Sequence, residues 1–533
     1  MTGRTMERLD RWTERMGDWL NPILVKETRQ TLKSRQFIVT FSLLLLAAWG
    51  WTAAAIAMSM PRIYYVPSGQ PMLVGYYLVL AVPMLLVVPL AAHRSLAAEV
   101  DDGTLDLLSV TNLSPLQIIT GKLASGGLQM MLYFVALMPC VAFCYVLRGV
   151  DLMTIGTLLG GTAEVATLLT VVGLFLAALP SGRGGQFVMM VVMLILIGIA
   201  EFAFGGFAIG MITQGGGEAS GEWIFGIVAS LLFTATVSAI LLIAAAVQLA
   251  PPSENRSTPL RRALLVHQTA MTGCLAYAML VLEADWQVIV PCVYYAAALW
   301  AVIGALMVGE SGVLTPRVRR DLPGTFLGRA LAVWLTPGPG TGLVFSVSCM
   351  LLFSLAAIGL LILSPSAPGD AIDRTLPHAL TLGGYLMLFL SVTRWIMQLI
   401  RLRSVTHPGV AVAVLGLVAS VAAIAPYSAA LHLHDYRSFP WSHWQLTNWA
   451  WTIVELESGL SSDVPYLVFG SGATLFALNV VLLGRAVLPQ RVATPERVLA
   501  ERAAAERAAA ERAAAEKSLA EGATVGFDSG AMR

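Results

Sequence analysis

About a dozen apolar runs, each on the order of 20 residues long, follow one another through most of this chain and constrain everything else about it. They lie near 37–58, 72–92, 126–147, 153–179, 186–209, 223–250, 265–282, 288–308, 342–363, 379–399, 408–431 and 465–488. A helix needs about 20 such residues to cross the hydrocarbon of a bilayer. Period-2 alternation is absent and the runs are too long for strands. Composition points the same way: 57% of the 533 residues are hydrophobic and 12% charged, where soluble domains carry about 25% charge. Too little polar surface remains to cover a soluble globule. The expected fold is an all-α polytopic integral membrane protein with about twelve transmembrane helices.

The net charge of +1 gives no reason to expect a nucleic-acid partner. Its distribution is informative. Arg4, Arg8, Arg11, Arg15, Lys26, Arg29, Lys33 and Arg35 crowd the N-terminal segment, and every second loop thereafter is basic. Those loops hold Arg94 and Lys122; Arg183; Arg256, Arg261 and Arg262; Arg317, Arg319, Arg320 and Arg329; then Arg401 and Arg403. The intervening loops hold single cations or none. Lys and Arg favour the cytoplasmic side, so with an even span count both termini are expected in the cytoplasm, with the spans in the cell (inner) membrane.

The N-terminus lacks the pattern of a cleaved signal peptide. Met6, Leu9, Trp12, Met16, Trp19 and Leu20 instead fall on one face of a helix whose other face is charged. An interfacial amphipathic helix is expected there, within a lead-in of residues 1–36. The C-terminal segment 489–533 carries Glu-Arg-Ala-Ala-Ala repeats between Glu501 and Lys517. Alanine and salt-bridging residues favour helix, and the five-residue period forms no apolar stripe, so a solvated helical spacer is expected. The five cysteines all lie in apolar runs, without CxxC spacing, which gives neither a disulfide framework nor a metal knuckle.

Two segments are more specific. Asn21-Pro22 precedes Ile23-Leu-Val-Lys26-Glu27-Thr-Arg29 and a basic stretch ending at Arg35-Gln-Phe37. The loop between spans 2 and 3 reads Glu99-Val-Asp101-Asp102-Gly103-Thr104-Leu105-Asp106-Leu107-Leu108, then Leu113-Ser114-Pro115, then Gly121-Lys122. Over roughly its first 250 residues the chain resembles the ABC-2 type transporter permeases, the membrane subunits of type-2 ABC exporters. In that family an Asn-Pro-(apolar)-Lys-Glu-x-Arg stretch commonly opens the domain. The loop carries Glu-x-Glu-x-Gly-Thr-(Leu)-Glu-x-Leu, a Leu-Ser-Pro turn and a Gly-Lys, with Asp101 and Asp106 here replacing the usual Glu.

The resemblance implies that this loop, within residues 93–125, is a coupling helix docking on a nucleotide-binding subunit. It also implies two permease copies, or a related partner, per transporter. Physically, leucines between acids form a compact plug suited to a partner's groove. The expected organisation is an ABC-2-like domain of six spans over 37–250, then a second six-span domain over 251–488. From 251 onward no second Asn-Pro-x-x-x-Lys-Glu or Glu-x-x-x-Gly-Thr element occurs, so the chain is not expected to be two fused permease halves.

No Gly-x-x-x-x-Gly-Lys-Ser/Thr phosphate loop is present. Ser181-Gly-Arg-Gly-Gly-Gln186 is a tight turn between spans rather than a nucleotide site. The chain is therefore expected to be no enzyme and to hold no cofactor, with ATP and Mg bound by a separate ABC ATPase. Glu164 and Glu201 lie inside spans 4 and 5, where a carboxylate costs a few kcal/mol and normally faces protein or water. Each is a candidate path-lining residue, or equally a packing residue that is paired or protonated. His432, His434, Asp435 and His443 sit in an aromatic segment that reads better as interfacial than as a metal site. Pro337-Gly-Pro-Gly-Thr-Gly342 is distinctive, without an assignable role.

The function expected is export, or extraction from the membrane, of a substrate the sequence does not name. An ion-coupled secondary transporter using Glu164 and Glu201 is one rival, and a non-transporting assembly or sensor protein is another.

Overall fold

Residues 22–103, 113–179, 182–215, 220–251, 254–312, 325, 333–404, 407–458, 463–483, 500–501, 504 and 506–507 are described by a computed structural model. The candidate residues Asn21, Thr104, Leu105, Asp106, Leu107 and Leu108 lie outside them. So do the expected interfacial helix, most of the Ala-Glu-Arg tail and the Ser181 end of the tight turn.

The chain is a multi-pass membrane protein. The described residues contain no strand, and 12 helices are long and apolar enough to span a bilayer. Spans 1 to 6 are Arg35–Ser59, Gly69–Asp101, Pro115–Val146, Leu152–Ala178, Arg183–Gln214 and Gly221–Leu249. Spans 7 to 12 are Thr258–Leu280, Trp286–Val308, Pro339–Leu363, Ala371–Arg401, Pro408–Leu433 and Asp463–Leu483. Each coincides with one of the apolar runs. A leading helix, Pro22–Leu32, precedes span 1, and a short helix, Trp449–Ser458, lies between spans 11 and 12.

The helices outrun their apolar stretches where polar partners are available. Span 2 continues from the run at 72–92 to Asp101, and span 3 begins at Pro115, well before 126. The segment expected as a loop over 93–125 is therefore helical at both ends, and only about 102–114 connects them. Span 2 contains one wider turn, Val82–Val87, that includes Pro83. A proline lacks the N–H that a helix uses, and such a turn absorbs the missing bond within the bilayer.

Four apolar clusters result among the described residues, two of them large. Leu73, Tyr76, Leu80, Tyr133, Leu137, Leu158 and Met193 anchor the first, among spans 1 to 5. Trp300, Leu343, Met350, Phe353 and Leu390 anchor the second, among spans 7 to 10. Spans 6 and 7 join the halves, with Phe225 stacked on Tyr277 at 5.3 Å and Thr236 Oγ1 2.8 Å from His267 Nδ1.

Candidate functional site

At one end of the bundle, three segments distant in sequence close on a single ammonium group. The leading helix starts with proline in its first turn, where the missing N–H costs nothing. It turns Ile23 and Glu27, four residues apart, inward. The last turns of span 2 supply Ser95 and Glu99, and span 3 supplies Lys122, which is 4% exposed. Lys122 Nζ lies 3.1 Å from Glu27 Oε1, 3.1 Å from Glu99 Oε1 and 2.7 Å from Ser95 Oγ. An ammonium carries three donors, and here each has an oxygen. Ser95 Oγ in turn donates to Glu27 Oε2 at 3.4 Å. Lys26 Nζ, on the exposed side, stands 3.8 Å from Glu99 Oε1 and supplies the second positive charge. Nearby, His93 Nδ1 lies 3.0 Å from the Gly173 carbonyl and ties span 2 to span 4.

This cluster forms the base of the connection between spans 2 and 3. Span 2 stops because Asp102 caps it and Gly103 takes φ +66°, a left-handed conformation that suits glycine. Span 3 starts with a capping box. Ser114 Oγ accepts from the Gln117 N–H at 3.3 Å, and Gln117 Oε1 accepts from the Ser114 N–H at 2.9 Å. Pro115 fills the first helical position. The Leu-Ser-Pro stretch, read in sequence as a turn, is thus the cap of span 3.

The structure therefore separates the candidate residues into two groups. Lys26, Glu27, Glu99 and Lys122 belong to one ionic cluster. Arg29, Arg35, Asp101, Gly103 and Ser114 are exposed at the same end, and Gly121 is buried beside Lys122. Sequence reasoning missed Ser95 and His93. Their polar character amid Ala and Leu near the end of an apolar run was the available signal.

Glu164 and Glu201 do not come together. Glu164 accepts hydrogen bonds from Thr234 Oγ1 at 2.7 Å and Ser230 Oγ at 3.2 Å, both on span 6. It lines a cavity of about 900 Å³ between spans 4, 5 and 6, with Gly160, Phe204, Phe207, Trp223 and Ser230 among the other walls. Glu222 also faces it, and among the described residues no Lys or Arg does. Glu201 is half-buried and is not among the residues lining this cavity.

A second polar cluster gives the Pro337–Gly342 segment a structural role. Arg261, fully buried on span 7, holds Glu310 Oε2 at 2.8 Å and donates to the Trp334 carbonyl at 2.6 Å and to Thr341 Oγ1 at 3.2 Å. Glu310 Oε2 also accepts the Gly338 N–H at 2.8 Å, and Glu310 Oε1 accepts from Ser257 Oγ at 2.7 Å. The glycine-rich segment is clamped onto the start of span 9. Gly338 at φ +147° fits the tight path before Pro339.

Among the described residues no group of three or more His, Cys, Asp or Glu converges to hold a metal. No family model, curated protein or solved structure matches this chain.

Proposed function

We propose that the chain is the membrane-spanning subunit of a type-2 ABC exporter, docked through residues 102–114 on a separate ATPase. The observation carrying this reading is the Lys122 cluster. The two segments that resemble the permease family, around Lys26-Glu27 and around Glu99 and Lys122, are bound to each other. A connection fixed at its base by a buried ion pair transmits a push on the loop into spans 2 and 3 together. A free loop would dissipate it.

Affinity for the ATPase comes from Leu105 and Leu108 seated in its groove, with Asp101 and Asp106 setting orientation. Replacing both leucines with Ala should weaken the complex by about 2–4 kcal/mol, roughly 30- to 700-fold in affinity. Co-purification of an ATPase with the tagged chain, and its loss in that variant, is the measurement. ATP hydrolysis by the isolated chain would contradict the reading.

A second reading is favoured by the Glu164 cavity. A carboxylate on a mostly apolar wall with no fixed cation suits a proton- or cation-coupled carrier. Transport into vesicles that proceeds without ATP and is lost in Glu164→Gln would establish that reading in place of the first.

A further inference from the structure

The helix packing of the second half repeats that of the first. Among the described residues, span 1 packs closely on spans 2 and 3, and span 2 on spans 3, 4 and 5. Span 3 packs on 4 and 6, and span 4 on 5 and 6. In the second half, span 7 packs on 9, span 8 on 9, 10 and 11, span 9 on 10 and 12, and span 10 on 11 and 12. Adding six to each number of the first set yields the second, save that the 7–8 contact is looser, resting on side chains such as His267 and Tyr295. All the pairings between helices not adjacent in sequence recur: 1–3, 2–4, 2–5, 3–6 and 4–6 become 7–9, 8–10, 8–11, 9–12 and 10–12. Spans 5 and 6 do not pack closely on each other, and neither do 11 and 12.

The polar clusters recur too. In each half an acid at the end of the second span, Glu99 or Glu310, is neutralised by a buried cation, though Lys122 comes from the third span of its half and Arg261 from the first span of its own. In each half the cluster binds the end of the second span to the start of the third, through Lys122 itself or through the Gly338 N–H. Six spans separate equivalent positions, so the halves point the same way across the membrane. A recurring packing pattern with the same orientation is what a parallel repeat produces.

We infer that this one chain holds both permease halves of the transporter, and that the end of span 8 at Glu310 and Gly338 is a second base for docking the second protomer of an ATPase pair. The docking part rests on the function proposed above; the single-chain part does not. The two bases differ in composition. Among the described residues, the first base holds Glu27 and Glu99 around Lys122, and the second holds Glu310 against Arg261.

The test is copy number, counted by native mass spectrometry of the full chain in lipid nanodiscs, first alone and then with its co-purified ATPase. One chain per particle and two ATPase protomers per chain are expected. Glu310→Gln should lower the second count from two to one, Glu310→Asp should restore it, and Glu99→Gln should give one by loss of the other dock. The melting temperature of each variant separates lost docking from lost folding. Two chains per particle would overturn the single-chain inference whether or not an ATPase is present. One chain holding a single protomer, or a Glu310→Gln variant that is well folded and still holds two, would overturn the second dock. Absence of any ATPase would remove the proposed function and the docks with it, while the chain count still decides the rest.

Discussion

Lys122 has three ammonium protons and meets three oxygens, so its removal exposes more than one loss. Lys122→Met leaves Glu27 and Glu99 facing each other without their shared cation, and breaking a buried pair in this way costs about 3–5 kcal/mol. The expected result is a large fall in the melting temperature in detergent, with the Glu27→Gln/Lys122→Met double variant losing less than the sum of the singles. Additive losses would show that the two side chains act independently. Asp151 offers a milder case outside the spans. Burial pushes its carboxyl up, but the Thr154 hydroxyl and the Thr154 N–H, at 2.9 Å, hold it below the usual range. A depressed carboxyl stabilises above its unfolded pKa, and that stabilisation disappears as pH falls through the folded value. Protection from hydrogen exchange at the start of span 4, taken relative to the intrinsic rate at each pH, should therefore fall in acid. Asp151→Asn should keep the cap but lose this pH response, while Asp151→Ala should cost about 1 kcal/mol at neutral pH.

Elements were legible wherever one physical signal dominated. Every apolar run near 20 residues is a span, because in lipid the backbone must satisfy itself and only a helix does so. The ends were less legible. Spans 2 and 3 run on past their apolar stretches because Ser95, Glu99 and Lys122 find partners on other elements, and no local window contains those partners. For the same reason Arg261 reads in sequence as an ordinary loop charge although it is fully buried, and nothing in sequence singles out its partner Glu310. The recurrence of helix packing between the halves was equally hidden. Helix packing depends on shape and small residues, which survive without the motif residues of the first half. Spans 10 and 12 illustrate this: a Cβ added at Gly472 would lie 2.3 Å from the Gly384 carbonyl oxygen. That contact involves backbone and cannot swing away, so Gly472→Ala should separate these spans and cost about 1–3 kcal/mol as overpacking. The unfolding of the purified variant checks this. Gly470→Ala, with nothing within 4 Å of its added Cβ, is the control.

For the whole molecule, orientation decides whether the Lys122 base and the Glu310 base face an ATP-supplying compartment at all. The argument is electrostatic: Lys and Arg in short loops resist translocation, and here they gather in alternate connections. Ser404 lies exposed beyond span 10 beside Arg401 and Arg403, in one of those basic connections. Ser438 lies exposed in the next connection, between spans 11 and 12, among aromatic residues typical of the interface. Both are surface positions, so a cysteine at either should leave the fold intact, and the chain's own five cysteines are all within spans. In intact cells a membrane-impermeant thiol reagent should label Ser438→Cys and spare Ser404→Cys, and opening the cells should make both react. Labelling of Ser404→Cys alone in intact cells would place both bases on the side without ATP. That outcome would defeat docking at either base, however well the clusters are built, and would leave the Glu164 cavity as the better guide to function.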